Sequence, residues 1–129
     1  MQETYKPAGY NSLSPYFVVD NANQFIDCIT YIFDAEITRK YDTPEGKIMH
    51  AEARIDDTII MFANANENYP SNHILVHVYV EDVDSTFQKA MEFGCQPIQE
   101  PITRKGDPDK RGSFEDIEGN MWSVATQQQ

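Results

Sequence analysis

An α+β fold built from two fused copies of one strand, helix and three-strand unit is predicted by three features of the sequence. The run Ile74–Asp84, ILVHVYVEDVD, repeats a pattern met 61 residues earlier at Leu13–Asn23, LSPYFVVDNAN. Val19 falls under Val80, Asp20 under Glu81, Asn21 under Asp82 and Asn23 under Asp84, so in both copies a strand-like run ends in acidic or amide residues that open a helix. DDTIIMFA, ending at Ala63, lies over EGNMWSVA, ending at Ala125, at an offset of 62. A period kept from the first strand to the last marks repeated units of one design.

Taken in order, residues 1–12 carry Pro7 and Gly9 among polar neighbours and read as an extended arm, with Tyr5 and Tyr10 able to pin it to the body. A strand from about Ser14 to Val19 leads to a helix in which Ala22, Phe25, Ile26, Ile29, Ile32 and Phe33 form one apolar stripe. A strand near Glu36 to Tyr41, the turn TPEG, a strand Ile48 to Ile55, a reversal at Asp56 and Asp57, and a strand Thr58 to Ala63 complete the first repeat, residues 13–63. The polar stretch 64–72 is the linker. The second repeat, 73–126, follows the same plan. It has a strand Ile74 to Val80, a helix from about Asp84 to Phe93 stopped by Gly94, and a strand Gln96 to Thr103. A charged loop, Arg104 to Arg111, a strand around Ser113 to Ile117 and a strand Met121 to Thr126 follow.

The 129 residues make one domain over 1–129, burying roughly 65% of the unfolded chain's surface. A net charge of −11 excludes nucleic acid as a partner, because phosphates require clustered Lys and Arg. It permits a cationic ligand. No run is apolar enough to span a bilayer, and the first residues lack an apolar region after a basic start, so no membrane association and a cytoplasmic location are expected. Cys28 and Cys95 occupy non-equivalent places without metal-type spacing and read as reduced structural thiols.

Strand alternation assigns faces. Met49, Ala51, Ala53 and Ile55 are expected to face the helix, putting His50, Glu52 and Arg54 on the opposite, concave side. Tyr16 and Val18 on the first strand, and Leu75, His77 and Tyr79 on the fifth, join them. So do Met61, Met121 and Ser123 on the last strands of the repeats, while Ile60, Phe62, Trp122 and Val124 face the helices. Carrying the offset of 62 onto the seventh strand places Phe114 and Asp116 on the concave side as well.

KPAGYNSLSPYFVVDNA, IMHAEARIDDTIIMFA, HVYVEDVD and RGSFEDIEGNMWSVAT, in this order and with the internal repeat, resemble the vicinal oxygen chelate superfamily. This group holds glyoxalase, the bleomycin-resistance proteins and extradiol dioxygenases, and the phrases are most similar to its PhnB-like branch. The resemblance implies paired βαβββ units forming an eight-stranded, cup-shaped mixed sheet with helices outside, commonly completed in a homodimer. It also implies four metal-ligand positions, which fall on Ser14, Met61, Leu75 and Ser123 of this chain. None is a credible ligand for a catalytic divalent ion, so no metal site and no cofactor are expected.

His77 and Tyr79 can bond or stack on a ligand, and His50, Glu52 and Arg54 offer a base, an acid and a carboxylate-binding fork on one strand face. His50 and Glu52 are the catalytic candidates. Tyr16, Arg54, Met61, His77, Tyr79, Arg111, Phe114 and Met121 are the ligand-binding candidates, with Arg111 placed after a loop able to act as a lid. No Ser-His-Asp set, phosphate loop or nucleophilic cysteine is present to support hydrolysis. The expectation is a metal-free small-molecule binding protein of the glyoxalase/bleomycin-resistance type, sequestering a toxic or antibiotic compound. The alternative is a glyoxalase-like lyase, isomerase or dioxygenase acting on a small oxygenated substrate with a divalent metal.

Overall fold

The computed structural model describes residues 5–128. The first unit comprises β1 (Tyr16–Val19), α1 (Ala22–Phe33), β2 (Glu36–Asp42), β3 (Ile48–Ile55) and β4 (Thr58–Asn64). The second comprises β5 (Leu75–Tyr79), α2 (Val83–Phe93), β6 (Gln96–Thr103), β7 (Asp109–Glu115) and β8 (Met121–Gln127). Both are βαβββ units. The strands pair as two four-stranded sheets, ordered β1-β4-β3-β2 and β5-β8-β7-β6. In each, the first strand lies parallel to the last and the remaining pairs are antiparallel.

The helices start and stop where their caps dictate. The Asn21 side chain accepts the Gln24 N–H and Asp34 closes α1 in the left-handed conformation. Asp82 accepts the Ser85 N–H, and Gly94, at φ 109°, closes α2. Their apolar faces meet each other and both sheets in a single core. Phe17 of β1 stacks on Trp122 of β8 with ring centroids 5.4 Å apart, and Phe33 of α1 reaches the same indole at 4.8 Å. The Trp122 N–H donates to Asp116 at 2.8 Å, and Asp116 also accepts from the backbone N–H of Glu118 and Asn120. Buried polar groups are thus paired, as burial demands.

Two further contacts fix how the units meet. Glu118, in the β7–β8 turn, accepts the Asp20 and Asn21 N–H groups at 2.7 and 3.0 Å. Asn72, leading into β5, donates its N–H to the Val18 carbonyl and accepts the Val18 N–H, while its amide donates to the Tyr16 carbonyl.

Two expected faces are corrected. Phe114 does not line the concave side: it is 0% exposed and packs between Phe33 and Phe87. Phe114 pairs with Trp122 as Ala53 pairs with Ile60, so β7 matches β3 at an offset of 61 residues while β8 matches β4 at 62. One residue of difference in a strand reverses every side chain. Arg111, Ser113 and Glu115 therefore take the open side, and Asp116 is buried as the partner of Trp122. Met49 is exposed rather than packed on a helix, because an irregularity in the β2–β3 pairing beside it lets Ile48 take the core position.

Candidate functional site

On the first sheet's open face, β1, β3 and β4 place Tyr16, His50, Glu52 and Met61 together. Met61 stands opposite Tyr16 on one side and opposite Glu52 on the other. The Tyr16 hydroxyl lies 2.9 Å from His50 Nδ1, and His50 Nε2 lies 2.7 Å from Glu52 Oε2. The second carboxylate oxygen of Glu52 accepts the Tyr10 hydroxyl at 2.5 Å and has Arg39 Nε at 3.6 Å. Burial raises the Glu52 pKa, but the bonds from Tyr10 and His50 and the Arg39 charge outweigh it and hold the carboxyl below its ordinary range. Burial and the Glu52 charge raise the Tyr16 phenol. The arm is drawn in by these bonds: Gly9, at φ 83°, passes so close to Arg54 that a Cβ there would sit 3.3 Å from its guanidinium. Arg54 stands beyond Glu52 on β3.

The second sheet's open face carries a different set. Leu75 and Met121 face each other across β5 and β8 and are 68% and 41% exposed. His77 lies opposite Ser123, bonded at 2.9 Å, and its ring meets Tyr79 edge-on at 5.0 Å. The Tyr79 hydroxyl donates to Asp109 at 2.6 Å, and this bond raises its pKa. Arg111 donates to Asp107 at 2.7 Å and to Asp109 at 2.9 Å. The first of these bonds lowers Asp107 and raises Arg111. Arg111 lies within β7 rather than at the end of a lid loop, with its charge matched by two carboxylates.

Between the units, clefts of about 790 and 310 Å³ run along β5 beside the β3–β4 turn. Arg54 and Tyr79 line the larger, His77 and Tyr79 the smaller. The structure thus gathers Tyr16, His50, Glu52 and Met61 in one cluster, and His77, Tyr79 and Arg111 in another with Met121 at its edge; Phe114 belongs to neither. Tyr10, Arg39 and Asp109 were missed as site residues. Asp109 carried a signal, since it stands two residues before Arg111 on one strand face. Tyr10 was read only as a residue able to pin the arm to the body, and the structure has it do so by bonding Glu52. Cys28 and Cys95 are free and buried, and a bond to Cys95 together with burial raises the Cys28 thiol far out of the reactive range.

A family model described as Glyoxalase/Bleomycin resistance protein/Dioxygenase superfamily matches residues 11–124. The chain belongs to this superfamily. A similar protein, Mb0911c of Mycobacterium bovis, is 30% identical over 127 residues, covering 88% of this chain and 81% of that one. Among solved structures, TioX from Micromonospora sp. ML1 superposes with a TM-score of 0.73 at 20% identity, over 90% of this chain and 95% of that one. The fosfomycin resistance protein FosX from Mesorhizobium loti superposes with a TM-score of 0.64 at 14% identity, over 90% and 91% of the two chains.

The superfamily's metal positions can now be tested against the register. Met61 faces Tyr16, not Ser14, and Ser123 faces His77, while Leu75 faces Met121. The side chains on these paired positions are a phenol, two thioethers, an imidazole, a hydroxyl and an alkyl chain. Only His77 is an ordinary ligand of a divalent ion. Among the described residues no three His, Cys, Asp or Glu side chains come together in a metal-binding group. The residues present do not fit the superfamily's metal.

Proposed function

We propose that the chain is a metal-free small-molecule binding protein of the glyoxalase/bleomycin-resistance type, acting in the cytoplasm as a homodimer and sequestering a toxic or antibiotic compound. The observation that carries this reading is the pair of open sheet faces, where Tyr16 and Met61 on one and Leu75, Tyr79 and Met121 on the other offer apolar surface beside ordered polar groups. Such a mixture suits a small, partly apolar ligand. Membership of a superfamily whose description includes bleomycin resistance supports the choice of ligand class, as does the likeness of fold to a fosfomycin resistance protein. No helix among the described residues is long and apolar enough to cross a membrane.

Calorimetric titration with bleomycin and with fosfomycin tests the proposal. One of them is expected to bind, and replacing Tyr16 by Ala is expected to weaken it about tenfold, the loss of roughly 1.4 kcal/mol. Absence of binding by both sinks the sequestration reading. A stoichiometric divalent ion in protein purified without chelator would favour the metal-dependent lyase, isomerase or dioxygenase instead.

A further inference from the structure

The cluster on the first sheet is a directed chain of hydrogen bonds ending at a partly exposed phenol on the sheet's open face. Glu52 is 4% exposed and held as a carboxylate by its partners, so it only accepts. His50 Nε2, at 2.7 Å, must therefore carry the hydrogen of that bond. A neutral imidazole has one N–H, which leaves Nδ1 a bare acceptor. The Tyr16 hydroxyl, at 2.9 Å, then gives its single hydrogen to Nδ1 and keeps only lone pairs to offer a further partner. Tyr16 is 39% exposed, so its oxygen is accessible to a ligand.

We propose that Tyr16 is the ligand-anchoring end of a Tyr16–His50–Glu52 relay and that, while the imidazole is neutral, this end takes a hydrogen-bond donor, namely a protonated amine. The inference rests on the reading of the chain as a small-molecule binder and names the group that binder recognises. The surroundings suit a cation. The rings of Tyr16 and Tyr41 lie 5.7 and 6.4 Å from the His50 ring, so the relay sits among aromatic groups that favour a cation. The protein's net charge of −11 favours the approach of a positive ligand.

Protonation of His50 inverts the contact. One proton from solvent adds at Nδ1, both ring nitrogens become donors, and the Tyr16 oxygen becomes the acceptor of the new N–H. The phenol hydrogen must then turn toward the cup, where it meets an acceptor such as a carboxylate. The titratable and charged groups facing His50 are Tyr16 from β1, Tyr41 from β2 and Glu52 on its own strand. Through Glu52 it also senses Arg39 from β2 and Tyr10 from the arm.

Two probes with one framework and opposite ends, 2-phenylethylammonium and 3-phenylpropionate, test this on the full chain by NMR with ¹⁵N-labelled histidine. At high pH the His50 ring is expected as the Nε2–H tautomer. From acid to alkaline pH the ammonium probe is expected to bind about tenfold tighter and the carboxylate probe about tenfold weaker, the scale of one charge-assisted hydrogen bond. Tyr16→Phe is expected to flatten both profiles. An Nδ1–H tautomer, an unchanged pH profile in Tyr16→Phe, or no binding of either probe overturns the relay. If the tautomer is wrong while bleomycin or fosfomycin still binds, only the relay falls. If the tautomer is right and nothing binds, the binding function falls with it.

Discussion

A carboxylate placed where Glu52 lies is costly unless its charge is met, and here the Tyr10 and His50 bonds and Arg39 meet it. Because the folded pKa is depressed, the stability Glu52 contributes is present above the unfolded carboxyl range near about 4.3 and is lost as pH falls through the lower folded value. Glu52→Gln is therefore expected to lower stability at pH 7 by about 1–3 kcal/mol, and the gap to wild type to close in acid. Urea melts at pH 7, 5 and 3 check this; a gap that persists unchanged at pH 3 would show that Glu52 acts through packing alone. Glu52 and His50 were legible in the sequence because they share one strand face. Arg39 was not, and Tyr10 was legible only as an anchor of the arm, because contacts between an arm, an edge strand and a neighbouring strand have no periodic signature.

At the scale of the element, β7 decides which side chains take the second sheet's open face. Phe114→Ala is expected to cost about 3–5 kcal/mol, as the loss of a buried ring does. Met121→Ala, at a largely open position, is expected to change stability by less than about 0.5 kcal/mol. Equal losses in chemical denaturation would place Phe114 back on the open face. The strands and helices themselves could be read from alternation, caps and the repeat, and the helix-facing parity of Trp122 carried through. The error at Phe114 has a physical origin: the repeats differ by one residue between β3 and β4 relative to β7 and β8, and a repeat offset taken from one hairpin arm does not transfer to the other. Met49 failed for a related reason, since a local irregularity in pairing leaves no trace in composition.

For the whole molecule, the stacked Phe17 and Trp122, with Phe33 beside them, tie both units into one core. The units are expected to unfold together in a single transition, and Trp122→Ala to lower stability by about 3–5 kcal/mol without splitting it. Two separate transitions in a calorimetric scan would contradict the shared core. The proposed homodimer predicts a light-scattering mass of twice 14.8 kDa, about 30 kDa, and a mass of one chain would remove it. Overall architecture was readable because a repeat of this length constrains topology; the packing between units was not, because it depends on faces that each unit presents only once folded.

The Asn72 contacts bear on how this protein stays apart from other strands. The Tyr16 carbonyl and both backbone groups of Val18 are already occupied by one amide residue of the same chain. An incoming extended segment would find these three groups already taken, which blunts that flank of the first sheet against uncontrolled growth. A short polar connector, unremarkable by composition, thereby serves as a selvedge to the fabric it joins.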